Sequence, residues 1–475
     1  MRSAPAAPEG RTAPDPGGAA RTSARAPILL ATCLASFLPP FMSSALNLAT
    51  PALSADLGAS AVQVNWIVSA FLIASASCLL PFGRLGDMVG RKRLFVVGMT
   101  SYAAFSAACG LAPSPGSLIV LRALQGAGGA IGFASSVAIL ASAFPRDQRG
   151  RVLGINTAAV YTGLSLGPVL GGVLVQHLGW RSILLTSAVL GLPPAFVMAL
   201  RAPEEWRGPR AERYDTAGAL AWTASLATLM AGISTLKTAP AGRWLALAGL
   251  AGMAAFVARE LRAPHPILEL ALFRNVVFAL SNLAALVNYS ATFAVTFLLS
   301  LYLQAVRGLS PQNAGLLLLI QPVLMTVLSP ISGRLSDRVE PRLVASAGMA
   351  LTSLALAVFA GLGPATPLAA AAGGLVLIGV GFGLFSSPNT NAVMSSVPAR
   401  SYGVGAATLG TMRQVGQALS MSVVALVFAQ VMGSARIARE SAPLILASGR
   451  VVFSLLALLC AAGVLASLAR GRLHD

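Results

Sequence analysis

The chain has 475 residues, 56% of them hydrophobic and only 10% charged, yet its formal net charge is +18. Soluble proteins carry about 25% charged residues, so a string of water-soluble domains is excluded. The 47 glycines and 29 prolines would break helices in water, whereas in a bilayer neighbouring helices satisfy the freed backbone groups and small residues permit close packing.

In chain order, residues 1–26 are rich in Ala, Pro and Arg without periodicity and read as a disordered tail. The first apolar run is too long for a signal peptide and continues as a full span. Apolar runs follow at 28–53, 62–83, 94–112, 117–143, 151–176, 181–200, 216–236, 243–258, 276–305, 312–332, 343–362, 368–396, 403–432 and 450–469. Most reach or exceed the about 20 residues that a helix needs to cross a bilayer. The sequence therefore predicts an all-α integral membrane protein with 14 spans, the run at 243–258 being the shortest. Cys33, Cys78, Cys109 and Cys460 all lie within apolar runs and fit neither a metal spacing nor a disulfide framework, so they read as buried thiols.

The basic residues sort by side. With the N-terminus in the cytoplasm, 24 of the 33 Lys and Arg fall in the tails and cytoplasmic connections and 7 in the opposite ones, while Arg122 and Arg413 lie within apolar runs. This is a strong positive-inside bias. It accounts for the net charge by attraction to an anionic inner leaflet rather than to nucleic acid. It predicts a multi-pass protein of the cell membrane with both termini cytoplasmic.

Two cytoplasmic connections repeat each other. Gly83, Arg84, Leu85, Asp87, Val89, Gly98 and Met99 are matched at an offset of 250 residues by Gly333, Arg334, Leu335, Asp337, Val339, Gly348 and Met349. They read as equivalent corners of two halves. Equivalent loops of two six-span halves would be six spans apart; here they are eight apart, so two further spans lie between the halves. The predicted organisation is a tail at 1–26, an N-terminal six-helix bundle at 27–200, a linker with two extra helices at 201–275 and a C-terminal bundle with a short tail at 276–475.

Three motifs carry chemistry. In the strip Gly83-x-x-x-Asp87-x-x-Gly90-Arg91-Lys92, Gly83 allows helices to approach, Asp87 is held by a helix end and neighbouring Arg, and Gly90 permits a turn. Such a charge cluster is able to lock one side of a two-state carrier, or to serve only as a topology signal. In Gly163-x-x-x-Gly167-Pro168-x-x-Gly171-Gly172, glycines at i, i+4 and i+8 make a smooth face and Pro168 bends the helix there. Arg122 opens "RALQGAGGA"; an arginine inside a span is costly and by default functional, unless it snorkels to the surface.

The strip resembles the loop signature of the major facilitator superfamily, the Gly-Pro motif resembles the span-five signature of its drug exporters, and Arg122 resembles its span-four arginine. With "FMSSALNLATPAL" (Asn47, Ala49, Pro51) in the first span, the chain is similar to the fourteen-helix drug/proton antiporter branch over nearly everything beyond residue 27. The resemblance implies two pseudo-symmetric six-helix bundles with two central extra helices, rocking about a central cavity and exporting a small molecule against protons. It implies a conformational switch at Gly83, Asp87, Gly90, Arg91, Arg122 and Asp337, and a monomer without cofactor or metal.

One departure matters. The branch often carries Asp five residues before Asn47, and here that position is Met42. None of the 15 acids lies clearly inside a span; Asp56 and Asp87 come nearest, and the proton carrier is unassigned. Polar groups within spans are Asn47, Gln125, Asn156, Tyr161, Asn288, Tyr289 and Gln321, together with Arg413. They either line a cavity for a neutral, anionic or zwitterionic amphipath or bond helix to helix. Asn389 and Asn391, after Pro388, read as supports of a broken helix. No phosphate loop, GxSxG elbow or His/Cys/Asp cluster is suitably placed, which argues against an enzyme and against direct ATP drive. Export of an amphipathic, drug-like compound is the favoured reading; an importer or facilitator on the same fold is the alternative.

Overall fold

A computed structural model describes residues 16–202, 205–206, 214–237, 239–264, 266–336, 338–398 and 402–471. The helices are α1 (Pro16–Leu57), α2 (Ala61–Val89), α3 (Arg91–Gly110), α4 (Pro115–Ala143), α5 (Arg146–Leu178), α6 (Arg181–Arg201), α7 (Thr216–Thr235), α8 (Gly242–Glu260), α9 (Val276–Leu301), α10 (Pro311–Leu318), α11 (Ile320–Ser336), α12 (Pro341–Ala360), α13 (Leu368–Ser395), α14 (Tyr402–Val431) and α15 (Ala442–Leu468). α9 is prolonged by a π turn at Tyr302–Val306, and α10 and α11 together make one membrane-length unit. Among the described residues, the only β feature is an isolated antiparallel bridge between Ser60 and Arg436.

Helix ends follow the sequence chemistry. Ser60 with Gln63 and Ser114 with Ser117 form capping boxes at α2 and α4, and Asp215 and Asn275 cap α7 and α9. Gly90 alone separates α2 from α3. Its φ is +123°, and a Cβ there would meet the Glu205 carboxyl.

Among the described residues, 12 helices are long and apolar enough to cross a membrane. α3 and α8 are not among them. α3 starts with Arg91, Lys92 and Arg93, and α8 spans only 19 residues with Arg243 near one end and Arg259 and Glu260 at the other. Twelve candidate spans are thus found among the described residues, and the expected count of fourteen is not confirmed. Three smaller expectations also change. The tail is helical from Pro16, Arg450 lies within α15 rather than in a connection, and α13 runs unbroken through Pro388. Phe196, Leu200, Leu458 and Leu465 are all exposed, a surface that suits hydrocarbon.

α1 to α6 pack together, as do α9 to α15. The repeat in the sequence reappears, at nearly the same spacing, as equivalent packing. A Cβ on Gly128 would meet Tyr102 N at 2.8 Å and Gly98 O at 3.2 Å; one on Gly381 would meet Thr352 N at 2.9 Å and Gly348 O at 2.7 Å. Gly126 is seated on the Phe71 carbonyl as Gly379 is on that of Gln321, and Gly163 on that of Phe37 as Gly416 is on that of Leu286. α7 and α8 form a hairpin, and α7 touches both α2 and α14. Pro81 has no N–H for the Ser77 carbonyl four residues earlier, and Thr223 Oγ1 of α7 donates to that carbonyl at 3.1 Å. Tyr214 donates to the Pro81 carbonyl, and Ser422 Oγ of α14 reaches Met230 of α7. At the foot of the hairpin Arg259 grips Asp215 and holds its carboxyl below the usual carboxylate range.

Candidate functional site

The end of the molecule that carries Gly83–Arg93 is termed the strip end. There, Arg91 donates through Nε to Asp87 Oδ1 at 2.8 Å and pairs with it through Nη2 at 2.6 Å, one turn apart at the α2–α3 corner. Arg91 Nη1 also bonds the Ala138 carbonyl and Ser142 Oγ of α4. Glu205 accepts from Lys92 N–H at 2.8 Å and so satisfies a free amide at the α3 N-terminus. The strip is thus bound into its own bundle. Asp337 of the second strip lies outside the described residues.

The Gly-Pro motif lies on two surfaces of α5. Gly163, Gly167 and Gly171 face α1: a Cβ on Gly167 would stand 2.6 Å from Ser44 Cβ, and one on Gly171 2.6 Å from Ala45 Cα. Pro168 and Gly172 face the other bundle. A Cβ on Gly172 would come within 2.7 Å of the Pro311 carbonyl, and one on Gly315 of α10 would run into the Pro168 carbonyl. Gly315 was not evident from the sequence, because its half carries no matching glycine repeat.

Bonds between the bundles gather at the end opposite the strip. Ser300 Oγ donates to the Asn47 carbonyl at 2.8 Å and Gln304 Nε2 to the Leu48 carbonyl at 3.1 Å. Ala61 N–H donates to the Ala435 carbonyl at 3.0 Å and Ile437 N–H to Ser54 Oγ at 3.2 Å. The first two bonds join α1 to α9 and its π turn, the last two join the α1–α2 corner to the α14–α15 connection, and together they form a clasp. Asp56 is at this end too, 47% exposed and paired with Arg181, with Trp180 Nε1 donating to it at 3.1 Å. It is a surface ion pair.

Arg122 is 1% exposed and does not snorkel. Its Nε donates to the Ile67 carbonyl at 3.1 Å; Nη1 donates to Met42 Sδ at 2.9 Å and to Gln125 Oε1 at 2.6 Å. Gln125 Nε2 continues to Ser106 Oγ, and the Phe71 ring lies 4.5 Å from the guanidinium carbon. Met42, at the position where the resembled branch often carries Asp, therefore touches the cation that an acid there would neutralise.

A second cluster sits at mid-depth between the bundles. Arg413 of α14 is half-buried; its Nη2 donates to Thr390 Oγ1 at 2.8 Å, and it lies 5.4 Å from the Tyr289 ring centre. Tyr289 meets Phe382 edge to face at 5.1 Å. Tyr161, from the first bundle, bonds Ser386 Oγ of the second at 2.8 Å, and Gln414 Nε2 reaches across to Ser75 Oγ at 3.1 Å. Of the sequence candidates, the structure brings together Tyr161, Tyr289 and Arg413. Gln125 belongs to the Arg122 network. Asn47 is tied to the clasp through its backbone. Asn156, Asn288 and Gln321 are buried, and both polar atoms of the Asn288 side chain lack partners. Ser75, Ser386, Thr390 and Gln414 went unnoticed in the sequence because isolated small polar residues in a span carry no spacing signal.

Arg470 was another omission. Counted as a tail residue, it is 1% exposed and stitches α9, α13 and α15 together through Ser281 Oγ, Asn389 Oδ1 and Ser467. Asn389 also donates to the Ser281 carbonyl, and Asn391 to Ser336 Oγ, so these asparagines join helices rather than supporting a break. The described acids Asp56, Asp87, Glu205, Asp215, Glu260, Glu269, Glu340 and Glu440 all stand at helix ends or in connections, and Asp147 falls in the first turn of α5. No group of three or more metal-ligating side chains occurs among the described residues.

Comparison with known proteins agrees with this architecture. The family model described as Major Facilitator Superfamily matches residues 32–421. The chain is 34% identical over 426 residues to the cephamycin export protein CmcT of Amycolatopsis lactamdurans, covering 87% of each chain. It is 30% identical over 403 residues to the riboflavin transporter RibZ of Clostridioides difficile (strain 630), covering 85% of this chain and 88% of that one. In fold it is similar to the inward-facing, unoccupied crystal structure of a bacterial homologue of the human lysosomal transporter Spinster. The TM-score is 0.67 at 16% identity, over 95% of this chain and 96% of that one. The protein is a multi-pass membrane transporter and not an enzyme, and the chain belongs to the Major Facilitator Superfamily.

Proposed function

We propose that this transporter exports small amphipathic, drug-like or antibiotic-like compounds by alternating access, as a monomer of the cell membrane with the strip end in the cytoplasm. The observation that carries the reading is the two-sided seat of α5. Its glycines lie against α1 on one face and, with Pro168, against α10 of the opposite bundle on the other. A seat without side-chain bulk can close tightly, and its neighbour can part from it without a leak in between. The names of relatives such as the cephamycin export protein support the direction of transport.

In this reading α3 and α8 also cross the membrane, giving fourteen spans. Residues 27–200 and 276–475 form the two moving bundles, and 201–275 supplies the extra pair. Gly83, Asp87, Gly90, Arg91, Arg122 and Asp337 set the switch, and protons entering the cell supply the drive. The mid-depth cluster at Tyr161, Tyr289 and Arg413 is the substrate site. An importer or facilitator on the same fold is the second reading, and the riboflavin transporter among the relatives keeps it in view.

The test is a strain overexpressing the chain, screened for raised tolerance to a panel of antibiotics, followed by flux of any protective compound in liposomes with and without an imposed pH gradient. Raised tolerance and gradient-dependent flux are expected. Flux indifferent to the gradient rules out proton antiport, and heightened sensitivity across the panel points to import.

A further inference from the structure

We propose that the mid-depth cluster is a carboxylate-binding site, so that the cargo is an amphipathic organic anion; this rests on the transport reading above. Three arginines lie in the interior, and they differ in how well they are satisfied. Arg122 has the Ile67 carbonyl, Met42 and Gln125. Arg470 has two hydroxyls, a backbone carbonyl and the Asn389 amide oxygen. Arg413 bonds only the Thr390 hydroxyl, and its Nε is buried without a partner. A guanidinium offers five N–H donors in a fork that matches a carboxylate. Inside a membrane protein a guanidinium is costly unless that fork is filled; half-buried Arg413 keeps part of its fork open, and the acids of the described chain are all at helix ends or in connections, so none of them fills it. A ligand carboxylate would complete it.

The surroundings fit the rest of such a ligand. Ser386 and Thr390 stack one turn apart on α13, with Thr390 Oγ1 donating to the Ser386 carbonyl. Thr390 holds Arg413 and Ser386 holds Tyr161, so the cation and a phenol from the opposite bundle are anchored on adjacent turns of α13. A carboxylate between them would be held by both halves. The Tyr289 and Phe382 rings give an apolar wall for its body.

The test uses the full chain in detergent and three probes of matched skeleton: 2-naphthylacetate, 2-naphthylacetamide and 2-(2-naphthyl)ethylammonium. Binding is read by tryptophan fluorescence titration and thermal shift. The wild type is expected to prefer the carboxylate over the amide and the ammonium by about tenfold or more, which is about 1.4 kcal/mol. Arg413→Gln brings the carboxylate down to the amide while leaving the amide unchanged, Arg413→Lys keeps part of the preference, and Tyr161→Phe weakens the carboxylate alone. Should Arg413→Gln fail to purify as a monodisperse protein, the Lys and Phe variants carry the comparison. Preference for the ammonium, an unaltered ratio in the variants, or no shift with the carboxylate each overturns the proposal. Carboxylate binding without flux in liposomes would remove the export reading and keep the site. Flux of neutral or cationic compounds untouched by Arg413→Gln would remove the site and keep export.

Discussion

At the scale of single residues, Asp87 is held by two bonds from Arg91, which in turn bonds α4. Asp87→Asn keeps the shape and removes the charge, losing a charge-assisted bond of about 1.5–3 kcal/mol at a partly exposed corner. The expected outcome is loss of transport with normal membrane insertion, checked by flux beside surface labelling; wild-type flux would remove the switching role. Arg122 and Met42 show how far the sequence could be read here. That an arginine lay within a span was visible from its run, and so was the missing acid. Its partners were not, because Ile67 and Met42 contribute single acceptors from helices far away in the chain. Arg470 was misread for the opposite reason: its position near the chain end suggested solvent, whereas three helices converge on it.

At the scale of helices, the Gly163, Gly167 and Gly171 face was legible because a period of four residues can only be one side of a helix. What it faced was not legible. The structure seats it on Phe37, Ser44 and Ala45 of α1. Gly167→Leu would drive a branched side chain into a gap too small for a Cβ, and overpacking of this kind costs about 1–3 kcal/mol or more. Transport is expected to cease and the thermal midpoint to fall; normal flux with an unchanged midpoint would show the glycine face to be incidental. Pro81 teaches the complementary lesson. A proline in a span announces a freed carbonyl, yet only the fold shows that Thr223 of the inserted hairpin takes it up, tying α7 to the first bundle while Ser422 ties it to the second.

At the scale of the whole molecule, the duplication was the most legible feature, since seven identities at one offset have their physical counterpart in paired helix contacts. The span count was less so, because α3 and α8 place charge at their ends. The clasp opposite the strip was invisible, being made largely of backbone groups. It also offers a direct test. An antiparallel bridge brings paired Cα atoms to about 4.5–5.5 Å, within the reach of a disulfide. In a chain freed of its four native cysteines, oxidised Ser60→Cys with Arg436→Cys is expected to arrest flux, and a reductant to restore it; full flux through the cross-linked protein would mean that the clasp never opens. The placement of acids at helix ends has an electrical corollary. With Arg122, Arg413 and Arg470 inside, the unloaded interior is positive. Each elementary charge carried through the full voltage drop exchanges about 2.3 kcal/mol per 100 mV. On the export reading, with the anionic cargo proposed above, a cell that is negative within would pull the vacant carrier toward its cytoplasmic pose and the passenger would cancel the bias on the way out, so the resting potential itself would help to reset the cycle.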